Sequence, residues 1–319
     1  MCNCIADDFC RFERAGLPSW KVPPNQSTPA ITATKPLSER IQQFYDTSSP
    51  LWERTWGEHM HHGYYGLNGQ HRKDRRQAQI DLIEELLKWG NVTSATTILD
   101  AGCGIGGSTL YLAQKFDAQA VGITLSTVQA QRAGERAAEQ GITLQAWENF
   151  EPSEGPAVQF QVTDALATPF PDDSFDIIWS KESGEHMPDK RGFLKECHRL
   201  LKPGGIFLMA TWCHRATDTL AGPLTNSEQA HLDRLYDLYH LPYVISLQDY
   251  GDLAKDIGFT ALATADWSRQ VEFFWQDVVR SALDVNVVSG IFQAGMETIR
   301  GTAAIALMTT GFDRGLIRY

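Results

Sequence analysis

The sequence predicts an α/β protein built on a doubly wound parallel sheet with helices on both faces. Three observations carry this. Short apolar runs alternate with amphipathic runs from Thr97 to Trp212, the order of parallel strands joined by crossover helices. The run Thr97-Ile98-Leu99 closes in Asp100, and Gly102, Gly104, Gly106 and Gly107 follow before an amphipathic run opens at Ser108. That order reads strand, tight loop, helix, with glycines where backbone must approach a ligand. Third, Asp100, Thr124, Asp164, Ser180 and Glu182 all fall at the carboxyl ends of expected strands, outside which such sheets bind ligands.

Taken in order, residues 1–36 read as a disordered tail, rich in Pro, Ser, Thr and Asn from Leu17 onward and too polar to fold alone. Asp7, Asp8 and Glu13 argue against an organelle transit peptide. Residues 37–92 are expected to form an N-terminal helical lid. Leu37 to Asp46 has apolar residues at helical spacing. The stretch Leu51 to Tyr65 then gathers Trp52, Trp56, His59, His61, His62, Tyr64 and Tyr65. A metal site, core packing and a lid over a ligand compete for it. The lid is preferred, because aromatic faces stabilise a cation and imidazoles move protons. No metal is expected, since the histidine spacing suits no helix face and no carboxylate cluster accompanies it. Arg72 to Trp89 is a helix with Ile80, Ile83, Leu86 and Leu87 on one face.

Residues 93–215 form the ligand-binding core. Leu110, Leu112 and Phe116 belong to the helix after the glycine loop, and Ala120 to Ser126 is the next strand. A helix from Ser126 to Gly141 has Ser126 as N-cap and Gly141 as stop. Residues 144–157 read as a long polar loop, Val158 to Val162 as a strand, Phe175 to Ser180 as a buried strand and Asp189 to Leu201 as a helix. The turn 202–205 leads into a strand, Ile206 to Trp212. Residues 216–319 complete the core and add cap helices over a substrate pocket. Helices are expected at Thr225 to His240, Leu247 to Ile257, Phe273 to Leu283 and Ile291 to Ile299, with a strand at Thr260 to Trp267.

A formal net charge of -11 argues against a nucleic-acid partner. No apolar run reaches the length of a membrane helix. The six cysteines contain no Cys-x-x-Cys pair, which suits a reduced, cytoplasmic setting. The glycine loop also satisfies Gly102-x-Gly104-x-x-Gly107, a dinucleotide fingerprint. That reading wants an acid at the end of the next strand, and the strand ends in Thr124 and Ser126 instead. Asp100 would repel a pyrophosphate but suits an amino group and a sulfonium. S-Adenosylmethionine is therefore preferred to NAD.

Further motifs specify more. Phe44-Tyr45-Asp46, Leu51-Trp52-Glu53, Trp56-Gly57-Glu58-His59-Met60-His61-His62-Gly63, the glycine loop, Gly122-Ile123-Thr124-Leu125-Ser126, Glu182-Ser183-Gly184-Glu185-His186-Met187-Pro188, Thr211-Trp212-Cys213-His214-Arg215 and Ala265-Asp266-Trp267-Ser268 stand together. With them, from about residue 37 onward, the chain resembles class I S-adenosylmethionine-dependent methyltransferases of the tocopherol methyltransferase group, nearest the cyanobacterial forms. The glycine loop and Leu-Lys-Pro-Gly-Gly are generic to that superfamily; the histidine stretch and Glu-Ser-Gly-Glu-His-Met-Pro are much more specific.

The resemblance implies a Rossmann-like class I methyltransferase sheet. It implies methylation of the chromanol ring of γ-tocopherol to α-tocopherol, and of δ- to β-tocopherol, in vitamin E biosynthesis. The implied partner is thus a lipophilic prenylated phenol, with peripheral contact at a thylakoid or inner membrane, in a plastid if the source is an alga or plant. The implied cofactor-binding set is Tyr45, Asp100, Ala101, Gly102, Cys103, Gly104, Gly106, Gly107, Thr124, Leu125, Gln129, Asp164, Ala165 and Ser180. Within it, Asp100, Gly102 and Gly104 surround the amino-acid end, Thr124 and Gln129 the ribose, and Asp164 and Ala165 the adenine, with Tyr45 closing over the top. Two departures are expected: an insertion at 144–156, and a truncated last strand ending at Tyr319. Methylating a ring carbon ortho to a hydroxyl benefits from a base, for which His59, His61, His62, Glu182 and His186 are candidates. An N-methyltransferase of an indole alkaloid or small amine, a nicotinamide-dependent oxidoreductase and a catalytically idle binding module remain open.

Overall fold

The alternation of apolar runs becomes a six-stranded parallel sheet in the computed structural model, which describes residues 36–147, 155–282 and 296–319. Its strands are β1 (Thr97–Ala101), β2 (Gln119–Thr124), β3 (Thr143–Leu144), β4 (Ala157–Val162), β5 (Phe175–Lys181) and β6 (Leu201–Ala210), in the order β3-β4-β2-β1-β5-β6. β1 lies between β2, with Asp100 opposite Gly122, and β5, with Asp100 opposite Trp179. The order reverses at β1, which opens a crevice at the strands' carboxyl ends.

Side chains alternate faces along each strand and so build two cores. Ile98, Ala120 and Ile177 join one with Leu82, Leu86 and Leu87 of α2 (Arg75–Trp89) and Leu110 and Leu112 of α3 (Gly107–Phe116). Leu99, Val121 and Ile178 join the other with Phe193, Leu194 and Leu200 of α5 (Lys190–Leu200). Each fully buried Leu, Ile, Val or Phe among these contributes about 1.5–3 kcal/mol by leaving water. Between α3 and α5 in the chain, α4 (Thr127–Glu139) crosses over from β2, capped by Ser126, whose Oγ accepts from the Gln129 N–H.

α1 (Leu37–Trp56) precedes the core. After β6 come a two-residue strand β7 (Cys213–His214), then α6 (Asn226–Tyr239), α7 (Leu247–Ile257), α8 (Ser268–Val271), α9 (Phe273–Ala282), α10 (Met296–Asp313) and β8 (Ile317–Arg318). β8 pairs antiparallel with β7, outside the main sheet.

The structure corrects several boundaries. Leu82, rather than Ile80, completes the buried face of α2, which starts after its Asp74 cap. No strand forms at Thr260–Trp267; the backbone there has no neighbouring strand to pair with and is fixed at its end, where the Trp267 N–H donates to the Tyr319 carbonyl. β6 runs through the expected turn at 202–205, with a register shift opposite Phe175 and Ile177. The start of the polar loop is tied in: Trp147 packs on Phe170 and Phe175, at 5.4 and 4.9 Å between ring centres. The remainder of that loop, the tail expected over 1–36 except Pro36, and the start of the Ile291–Ile299 helix lie outside the described residues. Among the described residues no helix is long and apolar enough to cross a membrane.

Candidate active site

A cleft opens at the carboxyl ends of β1, β2, β4 and β5, roofed by α1 and the histidine stretch. Asp100, 2 % exposed, ends β1 at its floor. Its Oδ2 accepts from Thr109 Oγ1 at 2.7 Å. Burial pushes the carboxyl up to about 6, against the pull of Thr109 and the charge of Lys181. A buried carboxylate held this way is stabilised by any cation that enters.

Gly102 and Gly104, at φ +99° and +54°, shape the loop beside it. A Cβ on Gly102 would lie 2.2 Å from Ser183 Cβ, whereas one on Gly104 would project into the cleft with only Gln129 Nε2, at 4.0 Å, in reach. Bare backbone is therefore turned to the cleft where a ligand needs room. Thr124 Oγ1 donates to Gln129 Oε1 at 2.7 Å, and Gln129 Nε2 donates to Ser49 Oγ of α1 at 3.1 Å. Cys103, Gly107, Leu125, Asp164 and Ala165 line the same wall. The donor set is a carboxylate for an ammonium, neutral hydroxyl and amide groups for a ribose, and small residues around them. It fits S-adenosylmethionine and offers no cation for a pyrophosphate in the glycine loop.

Three residues of the implied cofactor set stand elsewhere. Ala101 points into the core formed with Leu99 and Val121. A Cβ on Gly106 would meet Ala133 and Phe160, each at 2.9 Å, so that glycine serves helix packing. Ser180, 1 % exposed, spends its hydroxyl on Ser183 Oγ at 2.8 Å.

The candidate bases separate in the same way. Tyr45 of α1 and His186 face the cleft and meet through Tyr45 Oη and His186 Nε2 at 2.7 Å. Burial, with the charges of Lys190 and His240, pushes His186 down to about 3. Burial also pushes the Tyr45 hydroxyl up. His59 and His61 line the cleft as well. Burial and the charges of Lys181 and Arg136 push His59 down to about 2. His62 does not line the cleft. It is fully buried behind Glu182, with the rings of Phe274, Tyr319 and Trp275 centred 4.9, 5.0 and 5.2 Å away. Its backbone N–H donates to Glu182 Oε1 at 2.7 Å and its Nδ1 meets Oε2 at 2.9 Å. Tyr319 Oη donates to Glu182 Oε1 at 3.1 Å. Burial raises Glu182, but the His62 and Lys181 charges outweigh it and hold the carboxyl below its ordinary range. Glu182 thus acts as a strut between the cleft wall and the C-terminal end; its φ of +53° marks backbone held in place by those contacts.

Two groups carry weight that the sequence analysis left unassigned. Glu185, only 2 % exposed, accepts from Thr211 Oγ1 at 2.6 Å. Burial and the Glu182 charge push it up to about 8. Lys181, at the carboxyl end of β5, lines the cleft. A lysine closing the strand directly after the buried run Ile177-Ile178-Trp179-Ser180 was the available signal.

Comparison with known proteins places this geometry among relatives. A family profile described as a methyltransferase domain matches residues 99–209. The chain is 44% identical over 289 residues to a probable chloroplastic tocopherol O-methyltransferase of Oryza sativa subsp. japonica, covering 89% of this chain and 76% of that one. It is 34% identical over 298 residues to the 2-methyl-6-phytyl-1,4-hydroquinone methyltransferase of Synechocystis, covering 88% and 86%. Among solved structures it superposes on a putative sarcosine dimethylglycine methyltransferase of Galdieria sulphuraria with a TM-score of 0.69 and 26% identity, covering 86% of this chain and 96% of that one.

Proposed function

The chain belongs to the tocopherol O-methyltransferase family and is an S-adenosylmethionine-dependent methyltransferase; from that premise we propose that it methylates a ring carbon of a lipophilic prenylated phenol, converting γ-tocopherol to α-tocopherol and δ- to β-tocopherol. The observation that carries this reading is the buried Asp100 carboxylate beside the open backbone of Gly104, in one cleft with the Tyr45–His186 pair. Bound S-adenosylmethionine supplies an electrophilic methyl group, and the electron pair of the broken C–S bond stays on sulfur.

The residues divide the remaining work. Asp100 holds the ammonium end. Thr124 and Gln129 orient the ribose edge, with Gln129 braced by Ser49. Tyr45 and His186 close the acceptor side. Holding the reacting atoms in line supplies about 7–11 kcal/mol, far more than proton removal at about 10²- to 10⁴-fold, so positioning dominates. Reversible contact with a lipid surface belongs to this reading, because the acceptor partitions into membranes.

The test is incubation with methyl-labelled S-adenosylmethionine and γ-, δ- and β-tocopherol, a prenylated hydroquinone and an indole alkaloid amine, with products mapped by mass spectrometry. Label on a ring carbon of γ- or δ-tocopherol is expected. Label only on the amine nitrogen, or only on the hydroquinone, would replace the proposed acceptor.

A further inference from the structure

Lys181 is an unusual wall for a cleft that receives a cation. It is 7 % exposed, lies on the same cleft as Asp100 and Gly104, and has Nζ 2.5 Å from His61 Nε2. The His61 tautomer follows from its other nitrogen. Nδ1 lies 2.7 Å from the His62 carbonyl oxygen, which only accepts, so Nδ1 carries the hydrogen and Nε2 the lone pair. Lys181 is therefore the donor to His61. Among the described residues its amine bonds to His61 alone, and no carboxylate stands within ion-pair distance.

The charged and titratable groups facing it are His59 and His61 of the roof, Asp100 of β1 and Glu182, the residue directly after β5. Burial pushes the amine well below its ordinary 10.5, against the opposing charges of Glu182 and Asp100. A sulfonium in the cleft disfavours a second positive charge there. The neutral amine has one lone pair, and the N–H aimed at His61 turns that lone pair away from the ring. Four of the five bases named from sequence are worse placed. His61 spends its lone pair on Lys181, His186 is bonded to Tyr45, Glu182 is held by His62 and Tyr319, and His62 is outside the cleft. The fifth, His59, lines the cleft but is the weaker base, pushed down by burial and by the charges around it.

Building on the phenol reading above, we propose that Lys181 removes the proton from the acceptor's phenolic hydroxyl and that His61 is its positioning residue. The O–H bond breaks, its electron pair stays on oxygen, and an N–H bond forms on Lys181, leaving an ammonium–phenolate pair with no net change of charge. Electron density moves through the ring to the ortho carbon, which bonds to the incoming methyl group. That carbon then releases its ring proton to solvent, and Lys181 returns its own proton to the oxygen. The sum is one methyl gained and one proton released.

The variants K181M and K181R test this with γ-tocopherol and with a fluorinated, more acidic chromanol that ionises unaided. Methionine has similar length and adds no charge, but it leaves the buried His61 Nε2 without its donor, which lowers stability. Folding of each variant is checked by circular dichroism and by calorimetric binding of S-adenosylhomocysteine. K181M is expected to lose about 10²- to 10⁴-fold in kcat/KM on γ-tocopherol at neutral pH, and roughly tenfold less on the acidic acceptor. K181R is expected to stay as impaired, because a guanidinium does not give up its proton. Activity of K181M near the wild-type level, restoration by K181R, or an equal loss on both acceptors would overturn the proposal. Wild-type protein that methylates no phenol would defeat the functional reading instead, a result distinguishable from any of these.

Discussion

Gly102 and Gly104 stand two positions apart and do different work. Both hold the left-handed backbone that glycine adopts most readily, a preference of about 1 kcal/mol over other residues. Their surroundings set the larger difference. A methyl on Gly102 would drive into Ser183, which bonds back to the Ala101 carbonyl at 2.6 Å, while a methyl on Gly104 enters the cleft. Gly102→Ala is expected to destabilise the fold by several times more than Gly104→Ala, which is expected to fold and lose donor affinity. Chemical denaturation and calorimetry separate the two, and equal losses of stability would remove the cradle. Asp100 carries a second prediction. Its folded carboxyl binds a proton more tightly than the ordinary 3.8, near about 6, so it contributes stability below that window that is lost as pH rises through it. A bound ammonium needs the ionised form. Affinity for S-adenosylmethionine is thus expected to weaken by up to about tenfold per pH unit below about 6. An affinity unchanged between about pH 5 and about pH 7 would take Asp100 out of the binding role.

At the scale of elements, α1 is joined to α4 along its length. Asp46 accepts from Ser126 at 2.5 Å, Ser49 from Gln129 at 3.1 Å and Glu53 from Arg132 at 3.0 Å, positions three or four apart on both helices. Beyond the helix end, Glu58 pairs with Arg136 at 2.7 Å. The partly exposed Glu53–Arg132 pair contributes little by itself. The buried step matters more. Ser49→Ala leaves the Gln129 amide without its acceptor and is expected to cost about 1–3 kcal/mol of stability. It is also expected to raise the KM for S-adenosylmethionine, because Gln129 orients Thr124. Thermal unfolding and initial rates check this, and a variant unchanged in both would show that the ladder does not position the cleft.

For the molecule as a whole, the cleft spans parts of the chain that the two cores hold in register, so ligand and fold are linked. S-Adenosylhomocysteine at about 100 times its Kd is expected to stabilise the protein by about 2.7 kcal/mol and raise Tm by several degrees. A melt that moves with NAD and not with this ligand would contradict the assignment. Much of the frame was legible beforehand. β1, β2, β4 and β5, the helices capped by Ser126 and Asp189, and the glycine loop announced themselves through period and turn chemistry. Tyr45, Asp100, Gly102, Gly104, Thr124 and Gln129 followed at the cleft. The expected strand at Thr260–Trp267 does not form: most of the stretch is exposed, Leu262 included, and no strand lies beside it to pair with.

The sequence by itself determined the parallel sheet, the carboxylate at the end of its central strand and the family, since strand period, glycine spacing and motif order are local properties of the chain. Only the tertiary structure decided that His59 and His61 line the cleft while His62 does not, that Glu182 is tied to His62 and Tyr319, and that Lys181 stands on the cleft wall. Lys181 and His61 are 120 positions apart, as are Glu182 and His62. A hydrogen bond across that distance leaves no local signature, and it is what fixes a tautomer, buries an amine and gives a side chain its chemistry.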